Sequence, residues 1–151
     1  MTKAQPTFME QALAEARKAA ERGEVPVGAV IVAANGEIIA QAGNRVIAEQ
    51  DPTAHAELLA IRQAARVLGA ERLTGCDLYV TLEPCAMCAQ AIAFARLRRL
   101  YFGAEDEKGG GVLHGARVFA RSTCHHRPEV YGHIGEGEAA TLLRDFFAGK
   151  R

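Results

Sequence analysis

Two short motifs, His55-Ala56-Glu57 and Pro84-Cys85-Ala86-Met87-Cys88, constrain this chain more than any other stretch. They offer three residues of metal-ligand type, His55, Cys85 and Cys88, and one carboxylate, Glu57, that a metal does not need as a ligand. Side chains so far apart in sequence can share one tetrahedral ion only if the fold brings two segment starts together. Three protein ligands leave the fourth position open, which marks a catalytic zinc rather than a structural one.

The spacing supports that chemistry. Cys85 and Cys88 are three residues apart, so on a helix their sulfurs face one way. Pro84 is tolerated in a first helical turn, which predicts a helix over Cys85–Arg96 with both thiols near its start. There the helix dipole and the free N–H groups favour thiolate over thiol. His55 and Glu57 would diverge in mid-helix, but at a predicted helix start both can reach a site beyond the end of the axis. The expectation is two helix N-termini aimed at one ion. Zinc can bring the pKa of a bound water from 15.7 to about 7, worth ~12 kcal/mol of differential stabilisation. General acid–base help adds typically ~10²–10⁴-fold. The metal is the larger effect, and Glu57 makes each proton transfer possible. A structural zinc with an unrecognised fourth ligand, and a merely solvated carboxylate at Glu57, are the bland alternatives.

The rest of the chain reads as elements around that pair. Phe8–Arg22 has the apolar spacing of an amphipathic helix. Val25–Val32 is an apolar run with the character of a buried strand, and Asn35-Gly36 is a hairpin signal leading to a returning strand over Glu37–Gly43. Ala54–Leu68 reads as a helix, with Asp51 or Thr53 as its cap and Gly69 after its end. Strands are expected at Asp77–Leu82, Arg98–Gly103 and Glu129–Ile134, and a closing helix at Glu136–Ala148. Gly109-Gly110-Gly111 reads as a flexible loop. A hairpin feeding β-α-β units predicts an α/β fold, a mixed sheet covered by helices on both faces. Right-handed crossovers would put both metal-bearing helices on one face.

The chain has 151 residues, matching one domain over residues 1–151. The 18 basic and 18 acidic residues cancel, which excludes nucleic-acid binding by bulk charge but not by local patches. No apolar run approaches the ~18 residues of a membrane span. The polar start, Met1–Pro6, lacks the apolar stretch of a secretory signal. Four cysteines, two of them in Cys-x-x-Cys, fit a metal in a reducing compartment better than a disulfide framework. The cytoplasm is the expected location.

The pairing of His-x-Glu with Pro-Cys-x-x-Cys is a known signature of zinc deaminases, bacterial tRNA adenosine deaminases among them. The chain resembles the cytidine deaminase-like superfamily, and within it the tRNA-specific adenosine deaminases. The resemblance rests on Glu24–Val30, Gly43-Asn44-Arg45, Asp51–Glu57, Leu78–Cys88, Phe102-Gly103-Ala104 and Asp106, with a weaker echo at Asp145-Phe146-Phe147. It implies a three-layer α/β/α cytidine deaminase-like fold with a five-stranded sheet, and a homodimer. It implies one zinc per chain on His55, Cys85 and Cys88, with Glu57 shuttling protons. The substrate would be adenosine at the wobble position of a tRNA anticodon loop, converted to inosine. Asn44 would hydrogen-bond the base and Asp106 contact the adjoining nucleotide, with Val27, Ala56 and Pro84 completing the substrate contacts.

The sequence departs from the commonest pattern of that branch between residues 109 and 132. Cys124-His125-His126 in this segment suggests either a second metal or, more simply, a polar loop beside the site. Cys76 reads as a core thiol. Arg96, Arg98 and Arg99, then Arg117, Arg121 and Arg127, then Phe146, Phe147, Lys150 and Arg151, are candidates for gripping single-stranded RNA through phosphate contacts and stacking. A deaminase of free cytosine or guanine, or of a nucleoside, shares the same zinc motif. A non-catalytic zinc-stabilised partner subunit is the reading from another class, and the intact Glu57 speaks against it.

Overall fold

The computed structural model describes residues 7–149. In chain order they form α1 (Phe8–Glu21), β1 (Gly28–Val32), β2 (Ile38–Gly43), α2 (Ala56–Leu68), β3 (Asp77–Leu82), α3 (Ala86–Phe94), β4 (Arg99–Ala104), a 3₁₀ turn (Val118–Ala120), β5 (Glu129–Tyr131) and α4 (Glu136–Ala148). The expected termini Met1–Pro6 and Lys150-Arg151 lie outside the described residues. No helix among the described residues is long and apolar enough to cross a membrane.

The five strands make one mixed sheet in the order β2-β1-β3-β4-β5. β1 is antiparallel to both β2 and β3, whereas β3, β4 and β5 run parallel. The hairpin forms at Asn35-Gly36 because Gly36 accepts a φ of +88° and the Asn35 side chain takes the Glu37 N–H. Alternation along the strands sorts the core into two faces. Ala29, Ile31, Leu78, Val80, Leu100 and Phe102 pack against Ala56, Ala60 and Ala64 of α2 and Ala89, Ile92 and Ala93 of α3. Val30, Val32 and Ala104 pack on the opposite face against Met9, Ala12 and Leu13 of α1 and Ala139 of α4. Both metal-bearing helices therefore share one face, as right-handed crossovers require. The fold is the mixed three-layer α/β/α arrangement expected from the sequence.

Four local expectations are corrected. β1 begins at Gly28 rather than Val25, since Pro26 has no N–H to give a ladder and Val27 turns its own N–H back to the Val25 carbonyl. α2 begins at Ala56, and neither Asp51 nor Thr53 caps it: Asp51 Oδ1 accepts both the N–H and the hydroxyl of Thr53 in a turn before the helix. α3 begins at Ala86 and stops at Phe94, because Arg96 adopts a φ of +60°. Gly109-Gly110-Gly111 is closely packed rather than loose. A Cβ on Gly110 would stand 2.3 Å from Glu83 Oε2, and one on Gly111 would stand 2.4 Å from the Ala86 backbone nitrogen. These glycines are needed because the backbone passes directly over the start of α3.

Candidate active site

The two helix starts expected to face one ion do so, but His55 and Cys85 stand just before their helices rather than inside them. His55 is the N-cap of α2 and Cys85 the N-cap of α3, both extended, and neither uses its side chain to cap its helix. An extended N-cap throws its side chain out across the helix end, leaving it available to a ligand. Cys88 stands within the first turn of α3 and is fully buried.

His55 Nδ1 lies 3.6 Å from both Cys85 Sγ and Cys88 Sγ, and the three ligand atoms all lie within 4.8 Å of one another. A tetrahedral zinc with bonds of about 2.0–2.1 Å to nitrogen and 2.3 Å to sulfur separates those two atoms by about 3.6 Å. The side chains thus already stand at the spacing of zinc ligands. No other group of three ligand-type residues among the described residues meets that condition. The hydrogen bond from Cys88 is the main cause that takes Cys85 down to about 4, helped by His55, and the same bond pushes Cys88 up. His55 is raised, chiefly by its bond to Cys85.

Glu57, in the first turn of α2, is 4% exposed and faces this cluster. Burial pushes its carboxyl up to about 7, with Cys85 adding to the rise and its own backbone N–H and His55 opposing it. A cation on the three ligands would draw it back down. A carboxyl placed beside the metal site can both take and return a proton.

A cavity of about 560 Å³ opens over His55, Glu57 and Cys85. Val27, Asn44, Leu82, Glu83 and Asp106 line it, and Phe146 and Phe147 from the end of α4 close one side. Asn44 is held in place: its N–H donates to the Val27 carbonyl, its own carbonyl accepts from Arg22, and its Oδ1 takes the Ala56 N–H at 2.8 Å. The α2 N-terminus is therefore capped from a distant strand end. That bond orients the Asn44 amide, leaving its two N–H donors to offer a ligand. Ala56 and Pro84 are buried behind the metal cluster and do not line the cavity.

The family model described as the cytidine and deoxycytidylate deaminase zinc-binding region matches residues 2–104. The chain belongs to this deaminase family. It is 60% identical over 144 residues to the tRNA-specific adenosine deaminase of Agrobacterium fabrum, covering 95% of this chain and 94% of that one. A solved structure from work on A-to-I editing by tRNA:A34 deaminases at the wobble position of transfer RNA is 60% identical, with a TM-score of 0.88 over 90% of this chain and 98% of that one. A guanine deaminase structure from Bacillus subtilis is 33% identical, with a TM-score of 0.67 over 98% of this chain and 94% of that one.

Two buried acids that shape the deaminase cavity carry no role in the sequence reading. Glu24, 2% exposed, accepts N–H groups from Ile47 and Ala48 and so fixes the loop before His55. Glu83, also 2% exposed, accepts the N–H groups of Asp106, Val112, Leu113 and His114 and is bonded to the His114 ring. Both fall within the stretches Glu24–Val30 and Leu78–Cys88 that carry the resemblance, each an acid directly before Val25-Pro26-Val27 or Pro84-Cys85, but nothing in those stretches names their partners. Asp106 stands at the cavity wall, one carboxylate oxygen taking the Gly109 N–H at 2.8 Å.

The remaining candidates in the deaminase's divergent segment serve the fold. Cys124 is buried in the core on the α2/α3 side and its thiol donates to the His126 carbonyl. His126 Nε2 reaches the Leu97 carbonyl at 2.6 Å, and both His125 and His126 line a small cleft against Phe94 and Arg96 at the far end of α3. They hold no second metal cluster, and they are not beside the cavity. Arg117, Arg121 and Arg127 each donate to loop carbonyls, while Arg98 and Arg99 pair with Asp77 and Glu129. Cys76 is 1% exposed in the core.

Proposed function

We propose that this chain is a zinc-dependent hydrolase that deaminates adenosine to inosine at the wobble position of a tRNA anticodon, acting as one deaminase domain over residues 1–151. The observation that carries this is the 60% identity, at a TM-score of 0.88, to a structure studied as a tRNA:A34 deaminase, together with ligand atoms already at zinc spacing. His55 Nδ1, Cys85 Sγ and Cys88 Sγ would hold the zinc. When bound, the metal supplies a Lewis acid that makes water nucleophilic near neutral pH.

The chain's own residues do the rest. Asn44 donates a hydrogen bond to the base and holds its plane in the cavity, against Val27. Glu57 takes a proton from the water that attacks C6 and passes it to N1 of adenine. A second proton, also through Glu57, goes to the departing amine, and ammonia leaves. Water and adenosine thereby become inosine and ammonia. A base in an anticodon loop is cheaper to unstack into the cavity than one in a duplex. Asp106 at the wall faces the neighbouring nucleotide, while Ala56 and Pro84, buried and off the cavity lining, flank the ligands His55 and Cys85 rather than touch the base. Incubating the zinc-loaded protein with a tRNA transcript carrying A at the wobble position should yield inosine. Turnover of free guanine or a nucleoside with no inosine in tRNA would overturn the reading.

We further propose a homodimer built on α3. This helix is apolar nearly all round, yet Met87 and Phe94 are 36% and 71% exposed on its outer side, the pattern of a helix that is covered by another molecule. Phe94→Glu should convert a dimer to a monomer in sedimentation; an unchanged sedimentation coefficient, or a monomeric wild type, overturns this. The substrate locates the enzyme in the cytoplasm, which fractionation of expressing cells would test.

A further inference from the structure

We propose that Glu83 and His114 form a positioning pair that sets Asp106 against the substrate, and that His114 thereby governs how tightly the nucleotide beside the target base is held. The inference rests on the tRNA reading above.

Glu83 has no exposed side-chain surface. A buried carboxylate is costly unless fully satisfied, and this one receives five donors. Val112, Leu113 and His114 turn successive N–H groups onto Oε2 at 3.1, 2.9 and 3.2 Å, a backbone nest around an anion. Oε1 takes the other two: the Asp106 N–H at 3.0 Å and His114 Nδ1 at 2.8 Å. The backbone of Asp106 and the ring of His114 thus converge on one oxygen. Gly110 closes the turn, its N–H on the Asp106 carbonyl, with no room for a side chain above Glu83.

The ring of His114 also holds the residue before Asp106. Its Nε2 lies 3.4 Å from Glu105 Oε1, and the other oxygen of Glu105 is bonded to His133 ahead of α4. One imidazole therefore fixes Asp106 from beneath, through Glu83, and from its chain neighbour, through Glu105. His114 belongs to the segment in which this sequence departs from the commonest pattern, and it does not line the cavity. Its influence on substrate must pass through Asp106. Removing the ring leaves Glu83 with its four backbone donors, so the buried charge stays satisfied and the fold should survive.

The experiment is steady-state deamination of a full-length tRNA transcript by the zinc-loaded wild type, His114→Ala, His114→Asn, Asp106→Ala and the His114→Ala/Asp106→Ala double variant. Loss of a bond to a charged group should raise KM of His114→Ala roughly tenfold, with kcat changed by about twofold or less. His114→Asn, whose amide N–H can replace Nδ1–H, should recover most of that loss. The double variant should be no worse than Asp106→Ala, because residues acting through one another are not additive. Additive losses, an unchanged KM in His114→Ala, or no rescue by Asn would each overturn the proposal. So would loss of zinc or of the melting transition in His114→Ala, which would make the role structural. A wild type that forms no inosine in tRNA at all would instead remove the reading beneath it.

Discussion

Glu57 and the three ligands occupy one cluster, but a single substitution can separate their work. Glu57→Gln keeps the side chain's volume while removing the group that takes a proton. Zinc should remain bound at its wild-type stoichiometry, read by elemental analysis, while inosine formation falls by at least ~10²–10⁴-fold. Loss of zinc along with activity would instead place Glu57 in the metal's support. A second expectation at this scale concerns His114 and His133, whose bonds to Glu83 and Glu105 raise both above the ordinary 6.5, with Glu105 and Glu107 also facing His114 and Glu136 also facing His133. A raised folded-state pKa gives stability that is complete below about 6.5 and lost as pH rises through the folded value. The urea midpoint of the zinc-loaded wild type should therefore fall more between about pH 6.5 and 8.5 than that of a His114→Asn/His133→Asn variant; parallel pH curves would refute it. The ligands and Glu57 were legible in the sequence because metal chemistry restricts both residue type and spacing. Glu24 and Glu83 were not, because a buried acid is explained only by N–H groups that chain reversal delivers from 23 to 31 residues away.

At the scale of elements, close approach rather than propensity decides what each position tolerates. α1 lies so near β1 that a Cβ on Gly28 would stand 2.0 Å from the Ala12 carbonyl and 2.6 Å from the Ala16 nitrogen. Both are backbone atoms and cannot step aside, so Gly28→Ala should cost about 1–3 kcal/mol or more by overpacking. Gly137, in the first turns of α4, has nothing within 4 Å of its would-be Cβ. Gly137→Ala should stabilise by about 0.5–1 kcal/mol through lost chain entropy in the unfolded state. Urea titrations of the two variants should shift in opposite directions, and a neutral Gly28→Ala would contradict the packing of α1. The elements themselves were readable from apolar periodicity and turn signals, including the sharing of one face by α2 and α3. Their starts were misjudged by one or two residues at α2 and α3 because the N-cap residues are metal ligands. Ordinary capping preference, which pointed to Asp51 or Thr53, is overridden when Asn44 supplies the cap from β2's end. The glycine run at 109–111 was misread for a related reason: glycine permits close packing as well as flexibility, and only the neighbouring Glu83 and Ala86 reveal which applies.

For the whole molecule, the metal is a cross-link as well as a reagent. Its ligands sit at the starts of two helices on the same face of the sheet, 30 and 33 residues apart in the chain. An unfolded chain does not hold them at tetrahedral spacing, so zinc binds the folded state preferentially, and its binding free energy becomes folding free energy. Stability should then rise with free zinc as RT ln(1 + [Zn]/Kd), about 1.4 kcal/mol for each tenfold increase once the site is saturated. Urea unfolding in a series of zinc buffers measures that slope directly. Cys88→Ser replaces a fully buried thiolate ligand with a weaker hydroxyl donor, so its curve should turn upward only at higher free zinc. Glu57→Gln should retain the wild-type curve, because it leaves the three ligand atoms intact. A wild-type midpoint indifferent to free zinc would show that these helix starts do not close on a cation, and the deamination chemistry assigned to the cavity above them would fall with it.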